Sequence, residues 1–550
     1  MITLETLLAK GYFPRELPPP FTTVSYAAAL KDGTKIPQNL FDSSPQSRPA
    51  IFNLARAGTL RRKLSILNPI SYFKLCNLVA QKWPDLEPLA RRSPLSLTKP
   101  LTDHPQRAIE RETPLREFAA KRAQARCAAR YILKTDIARF YHSIYTHSIP
   151  WAIHGKAAAK ADRSSNLWGN TLDKFIRDSQ DGQTMGIPIG PDISLAIAET
   201  LLGAVDQELL KKMKVRGLRY IDDYELSIDN LAEAEQLQGA LQEVLNDFEL
   251  GLNGAKTEVR KLPLNLQEPW VSELGNFRMR SRKKSQHTDL LRYFDRAFEL
   301  TQEHPSESVL KYAVGRAANM SVHSENRIVF QHLLLQCAIV EPGCLPMILK
   351  VLCKFKADDD RENQLAQFVV QLTPQAAKAE AKTVGTIDQE RLAATLNGII
   401  QSHAIQGHSS EVCWAIWGCL LFGIKLPGDS AKLLLGMNDP AAAVLGLHAQ
   451  HNGLLPTKDY FASFQQFMTQ QDLYGEWWLL SYEANVKGWL KHPSGVDHVA
   501  NDPHFSILKN NGVSFYDPNK ITEVFKQAEK AVAEEVEEIE EESPEEGYPG

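Results

Sequence analysis

The sequence predicts a chain in two unlike halves, an α+β first half followed by an all-α second half. Three observations carry this reading. Short β-rich runs at 61–66, 131–136 and 219–228 all lie before residue 265. From about residue 288 apolar positions recur at helical spacing with no strand signal. Charge is divided as unevenly: residues 531–550 carry nine glutamates and no basic residue, and the formal charge of −4 becomes +5 once those nine are set aside. At 550 residues the chain is long enough for two or three domains.

Composition narrows the class. Apolar residues make up 43%, enough for well-buried cores, yet no apolar run approaches the 18 or so residues of a membrane span. The start, MITLETLLAKGYF, lacks the pattern of a signal peptide. Seven cysteines are scattered without a CxxC pair, which fits reduced, mostly buried thiols in a cytoplasmic protein. Residues 51–130 hold 16 Lys/Arg against 6 Asp/Glu, and further basic clusters lie at 211–219 and 278–284. A basic body with an acidic tail points to a polyanionic partner.

Taken in order, residues 1–50 are rich in Pro, Ser and Thr and read as an irregular arm with a helix at each end. In LRRKLSILNPISYFKLCNLVAQ (60–81), Leu64 and Ile66 alternate with Lys63 and Ser65 as on a half-buried strand. A helix follows Pro69, with Tyr72, Leu75, Leu78 and Val79 on one face. Arg61, Arg62 and Lys63 fit two readings equally, a triphosphate grip and a basic edge strand. Residues 100–130 are polar and helical in character. The run Tyr131–Tyr141 delivers Asp136 near the end of a strand, either as a metal ligand or as the N-cap of the next helix.

In GQTMGIPIGPDISLAIAETLL (182–202), glycines and prolines form a stiff loop that a nucleotide or strand can approach, and Asp192 or Ser194 is placed to cap the helix after it. Arg219-Tyr220-Ile221-Asp222-Asp223-Tyr224-Glu225-Leu226 reads as strand, tight turn, strand. Adjacent carboxylates repel, so a hairpin tip presenting Asp222 and Asp223 calls for a divalent cation, the alternative being plain turn chemistry. An amphipathic helix over 231–250 then leads to Gly251-Leu252-Asn253-Gly254-Ala255-Lys256-Thr257, a turn carrying Lys256 into a strand.

In this order these blocks resemble the reverse transcriptases over roughly residues 50–265. Asp136 falls in the family's motif A, Gly186-Ile187-Pro188-Ile189-Gly190-Pro191-Asp192-Ile193-Ser194 in motif B, Tyr220-Ile221-Asp222-Asp223 in motif C and Lys256 in motif D. The run Ser-Ile-Tyr-Thr-His-Ser-Ile-Pro-Trp (143–151), Ile189 and the long helical second half further resemble prokaryotic defence-associated enzymes of the abortive-infection type, in which a helical-repeat (HEAT-like) region replaces a thumb.

The resemblance implies a fingers-and-palm fold and two Mg²⁺ ions held by Asp136, Asp222, Asp223 and the Ile137 carbonyl. It implies that Lys256 acts on the leaving pyrophosphate. Arg61, Arg62, Lys63, Gln183 and Gly190 would contact the dNTP, and Tyr141 would exclude a ribose 2′-hydroxyl. Many relatives carry Gln where this chain has Ile189. That departure puts templated copying in doubt and leaves two modes open, untemplated synthesis primed on the protein itself and conventional RNA-templated copying. A non-catalytic nucleic-acid scaffold is a third alternative. The implied partners are dNTPs, a DNA product that stays attached if the protein is the primer, RNA in the templated mode and further copies of the chain, as a trimer or hexamer.

Beyond 288, amphipathic helices are expected at 288–303, 307–320, 325–339, 345–356, 361–372, 388–402, 410–423, 429–436, 440–450, 458–470 and 474–490. The divisions expected are an arm (1–50), fingers and palm (51–287), a helical repeat (288–500) and an irregular segment ending in a disordered acidic tail (501–550).

Overall fold

The computed structural model describes residues 2–31, 36, 41–56, 60–372, 386–456 and 459–528, with backbone alone for 362–372. The acidic tail and its expected disorder lie outside the described residues.

The arm carries helices α1 (Leu4–Lys10) and α2 (Val24–Lys31). Strands β1 (Ala50–Ala55) and β2 (Arg61–Ile66) pair antiparallel as a hairpin. Helix α3 (Pro69–Ala90) starts where expected: Asn68 accepts the Ile70 N–H and Pro69 fills the first turn, where a missing N–H costs nothing. Residues 100–130 are less helical than expected, with short strands β3 (Pro100–Leu101) and β4 (Glu110–Arg111) before α4 (Phe118–Arg126).

The sheet that organises the first half has the order β6-β7-β5-β8, all antiparallel. Its strands are β5 (Tyr131–Asp136), β6 (Arg216–Tyr220), β7 (Asp223–Ile228) and β8 (Glu258–Lys261). Four helices connect β5 to the loop at 182–192: α5 (Phe140–Ser143), α6 (Ser148–His154), α7 (Lys156–Ala161) and α8 (Trp168–Asp178). Helix α9 (Ile193–Lys212) then packs against α3 and α6. Helix α10 (Leu231–Asp247) opens on a reciprocal cap, Asn230 accepting the Glu233 N–H and Glu233 accepting the Asp229 N–H.

The second half is helical: α11 (Pro269–Asn276), α12 (Lys283–Glu303), α13 (Val309–Ala317), α14 (Arg327–Val340), α15 (Leu345–Leu372), α16 (Gln389–Ala404), α17 (Ser409–Phe422), α18 (Gly428–Gly436), α19 (Pro440–His451), α20 (Trp478–Lys487), α21 (His498–Asn501) and α22 (Phe505–Asn510). From α11 to α20 each helix packs on helices near it in sequence.

Two expectations fail here for physical reasons. The helices expected at 345–356 and 361–372 are the single α15: Arg327 pairs with Asp358 and Asp359, and Asp359 accepts from Thr386, so the acids between the two ranges are compensated. The helix expected at 458–470 is a 3₁₀ turn at Ala462–Phe467, where residues three apart align. Phe461, Phe464 and Phe467 stand at that spacing, and Phe467 stacks on Trp477 with ring centroids 3.9 Å apart.

The largest departure concerns the two ends. Neither the arm nor the segment after 501 is peripheral, because both enter one aromatic core. Tyr12 stacks on Tyr72 at 4.1 Å and donates to the Leu67 carbonyl, while Tyr26 donates to that of Pro69. Phe515 sits among Tyr12, Phe13, Tyr26, Trp478 and Tyr482. A β-bridge joins Phe21 to Tyr516, and Trp478 donates to the Ile66 carbonyl at the end of β2. The Pro-rich composition of the arm hid this: its aromatics follow no regular period, so they carry no signal for an element.

Candidate active site

Register brings the acidic residues together. Asp136 lies directly opposite Asp223 across the β5–β7 ladder, which puts both carboxylates on one face of the sheet. Asp222 lies in the two-residue turn between β6 and β7, and its carbonyl accepts the Ile137 N–H at 3.1 Å. Mutual repulsion marks the cluster. Burial and then Asp223 push the Asp222 carboxyl up to about 6. Burial and then Asp136 also raise Asp223. Asp136 is 6% exposed; its Oδ2 accepts from Lys256 Nζ at 2.6 Å, and its buried Oδ1 has no hydrogen-bond partner. That bond comes first among the causes that hold the Lys256 ammonium above its ordinary range.

The turn is held from beneath. Ile221 has φ of +53°, a strained conformation for a β-branched residue. Its N–H donates to Thr98 Oγ1 at 3.1 Å, and its carbonyl accepts from Arg219 at 2.9 Å. The Arg219 guanidinium is fully buried, between Glu199 at 2.9 and 3.0 Å and Asp206 at 2.8 Å. Ser96 and Thr98 donate to Glu199, while Ser93 and Tyr224 donate to Asp206. Glu199 and Asp206 stand two turns apart on α9, so one helix face meets one arginine. Tyr220 is fixed from the side, hydrogen-bonded to Arg111 and edge-on to Phe118.

Residues 80–286 match the family model described as "Reverse transcriptase (RNA-dependent DNA polymerase)". These residues are a reverse-transcriptase domain. The matched stretch holds all three aspartates and Lys256. No curated protein matches the sequence. Among solved structures, one of telomerase from Candida albicans with a fragment of telomeric RNA is similar at 12% identity and a TM-score of 0.29, over 60% of this chain. The chain spans 66% of that structure's chain, just under two thirds.

The remaining site residues divide. Arg62 acts electrostatically on both Tyr141 and Asp222, and Lys63 acts with it on His142. Burial, then Glu199 and Asp222, raise the Tyr141 hydroxyl above its ordinary range. Gln183 is exposed. Two expectations are corrected. Arg61 is tied up elsewhere, paired with Glu411 of α17 and bonded to Asn53, because alternation along β2 turns it away from its neighbour Arg62. The close approach at Gly190 (φ +134°) is to the chain itself: a Cβ there would lie 2.7 Å from Pro14 and 3.1 Å from the Ser65 carbonyl.

Neither Asp192 nor Ser194 caps α9. Asp192 pairs with Arg107 and accepts the Ala108 and Ile109 N–H groups, and Ser194 donates to the Pro188 carbonyl. The cluster at 211–219 is mostly consumed internally, by Glu208, Glu243, Asp229 and the buried seat of Arg219. The Glu199–Arg219–Asp206 group was overlooked in the sequence. Its signal was there, two acids seven residues apart with Thr200 the one polar side chain between them.

No helix among the described residues is long and apolar enough to cross a membrane. The seven cysteines are free, and all but Cys127 are buried.

Proposed function

We propose that the chain is a Mg²⁺-dependent DNA polymerase of the reverse-transcriptase type. The observation that carries this is the convergence of Asp136, Asp222 and Asp223, with one buried Asp136 oxygen unpartnered. Three carboxylates are a hard, all-oxygen donor set, and they suit Mg²⁺. With the Ile137 carbonyl they would hold the two ions. Bound there, Mg²⁺ supplies charge neutralisation on the transferring phosphoryl group. The chain's own residues do the rest. Asp136 and Asp223 fix the position of the site through the strand ladder. Arg62, whose charge acts on both Tyr141 and Asp222, would meet the triphosphate from β2. Lys256 carries an ammonium that can neutralise or protonate a leaving pyrophosphate.

The finer reading follows the resemblance: a cytoplasmic antiphage enzyme with a HEAT-like helical repeat over 288–500, acting as a trimer or hexamer and building DNA on one of its own hydroxyls without a conventional template. Two features favour protein priming over copying. Ile189 is packed against the core where many relatives place a nucleotide-positioning glutamine. No segment between β8 and the helical half has the sequence character of a separate thumb. Purified protein given Mg²⁺ and labelled dNTPs, without primer or template, is expected to yield a labelled protein band of increased mass that protease converts to free DNA. Labelled DNA formed only with an added primer–template, and running free of protein, would overturn the priming reading. No incorporation under either condition would overturn the polymerase.

The sugar gate is tested separately. Tyr141→Ala should raise rNTP use relative to dNTP use by at least about tenfold, since a steric exclusion of one hydroxyl is worth roughly 1–3 kcal/mol. Equal rNTP and dNTP use by the wild type would sink the assignment.

A further inference from the structure

A second site, remote in sequence from the three aspartates, lies where the β1–β2 hairpin rests on the helical half. The short turn Ile405–Gly407 joins α16 to α17, and Gly407 takes φ of +66°. The His408 N–H returns to the His403 carbonyl at 3.1 Å. This folds the last turn of α16 back on the start of α17. His403 Nδ1 and His408 Nδ1 come to 2.9 Å from each other, and Glu411 Oε1 lies 3.9 and 3.7 Å from them. In a tetrahedral site with Zn–N near 2.0–2.1 Å, ligand atoms stand about 3.3 Å apart. The observed separations, 2.9, 3.7 and 3.9 Å, bracket that value. The histidine side chains are about one-fifth exposed, so an ion can enter and a fourth position can be filled by water, whereas Glu411 is buried at 3%.

The surroundings are built. Ser410 donates to Glu411 Oε2 at 2.6 Å and its hydroxyl accepts the Ala55 N–H, while Asn53 donates to the Gly407 carbonyl at 3.1 Å. Arg61 holds the same carboxylate, with one bond to Oε2 at 2.9 Å and one to Oε1. Each of these hydrogen bonds from the hairpin therefore touches a ligand residue or its neighbour.

We propose that His403, His408 and Glu411 bind a borderline transition-metal ion of the Zn²⁺ class at the seat of the β1–β2 hairpin, with Arg61 and the ion sharing Glu411. Two imidazoles and one carboxylate select such an ion over Mg²⁺, which prefers oxygen. The site is independent of the carboxylates of the palm. Its effect is to tie the strand carrying Arg62 to the α16–α17 turn.

The test uses the full chain with Asp136, Asp222 and Asp223 each changed to asparagine, so that the palm does not compete, after dialysis against a chelator. Co²⁺ is the probe, because a low-coordinate Co²⁺ site shows strong visible absorption. The expected result is one equivalent of Co²⁺ giving that absorption, displaced by Zn²⁺ and not by Mg²⁺. Adding His403→Gln and His408→Gln should abolish it while circular dichroism stays unchanged; if that pair fails to fold, His408→Gln alone should weaken binding at least tenfold. Arg61→Gln removes the competing cation and should tighten binding several-fold. Absence of stoichiometric Co²⁺ binding, or binding indifferent to the histidines, would overturn the site. Unchanged affinity in Arg61→Gln would overturn the shared carboxylate.

Discussion

Replacing Asp222 and Asp223 together by alanine should lower nucleotide incorporation by at least about a thousandfold, because it removes two of the three carboxylates that would hold the ions neutralising the reacting phosphates. The same change should make the protein more stable in metal-free buffer. Both carboxylates are raised above their ordinary range by burial and mutual repulsion, so in the folded state their charged forms are a cost. The sign fixes the pH dependence. The cost is present above the folded value of about 6 and disappears as pH falls towards the ordinary 3.8 for Asp222. The gain in Tm over wild type should thus be largest near neutral pH and shrink in acid. Incorporation assays and melts across pH check both halves. Retained incorporation would sink the metal-site assignment, and a double mutant less stable than wild type at pH 7 would sink the repulsion argument.

The second large effect is structural. Arg219→Met leaves Glu199 and Asp206 fully buried without their cation. Breaking one partner of a buried ion group in this way costs about 3–5 kcal/mol. It also releases the Ile221 carbonyl, so the turn carrying Asp222 loses one of the hydrogen bonds that hold it. Urea unfolding should show a markedly lower midpoint, with incorporation lost even under conditions where the protein is folded. Combining Arg219→Met with Glu199→Gln and Asp206→Asn should recover much of the stability, since neutral partners carry no stranded charge. A destabilisation as large in this triple variant as in Arg219→Met alone would show that packing, and not charge, holds the site.

What could be read from the sequence, and what could not, follows one physical line. The strands bearing Asp136 and Asp223 were legible because β-rich runs alternate locally, and the order of the four motifs identified the domain. The register that sets Asp136 opposite Asp223 was not legible, since pairing is decided between segments nearly ninety residues apart. Arg61, Arg62 and Lys63 looked equivalent as a basic run. Alternation along β2 separates them, and only the position of α17 shows that Arg61 has a carboxylate of its own. The expected division of α15 between 356 and 361 fails because two of the acids there, Asp358 and Asp359, find their cation, Arg327, on a different helix. In each case composition reported the kind of residue, while its role depended on a partner distant in sequence.

The aromatic core around Phe515 also has a consequence for how the protein is made. The β2–α3 junction presents Leu67, Pro69 and Tyr72 to Tyr12 and Tyr26, yet those rings are covered only when Phe515 and Trp478 arrive. At about 5–20 residues per second, the ribosome needs roughly 10–50 s after the end of the reverse-transcriptase domain to deliver them. During that interval the strands carrying the three aspartates are expected to stand on an open supporting core. A chain cut short before Phe515 is expected to leave Tyr12 and Tyr26 uncovered, which limited proteolysis of such a truncation would show.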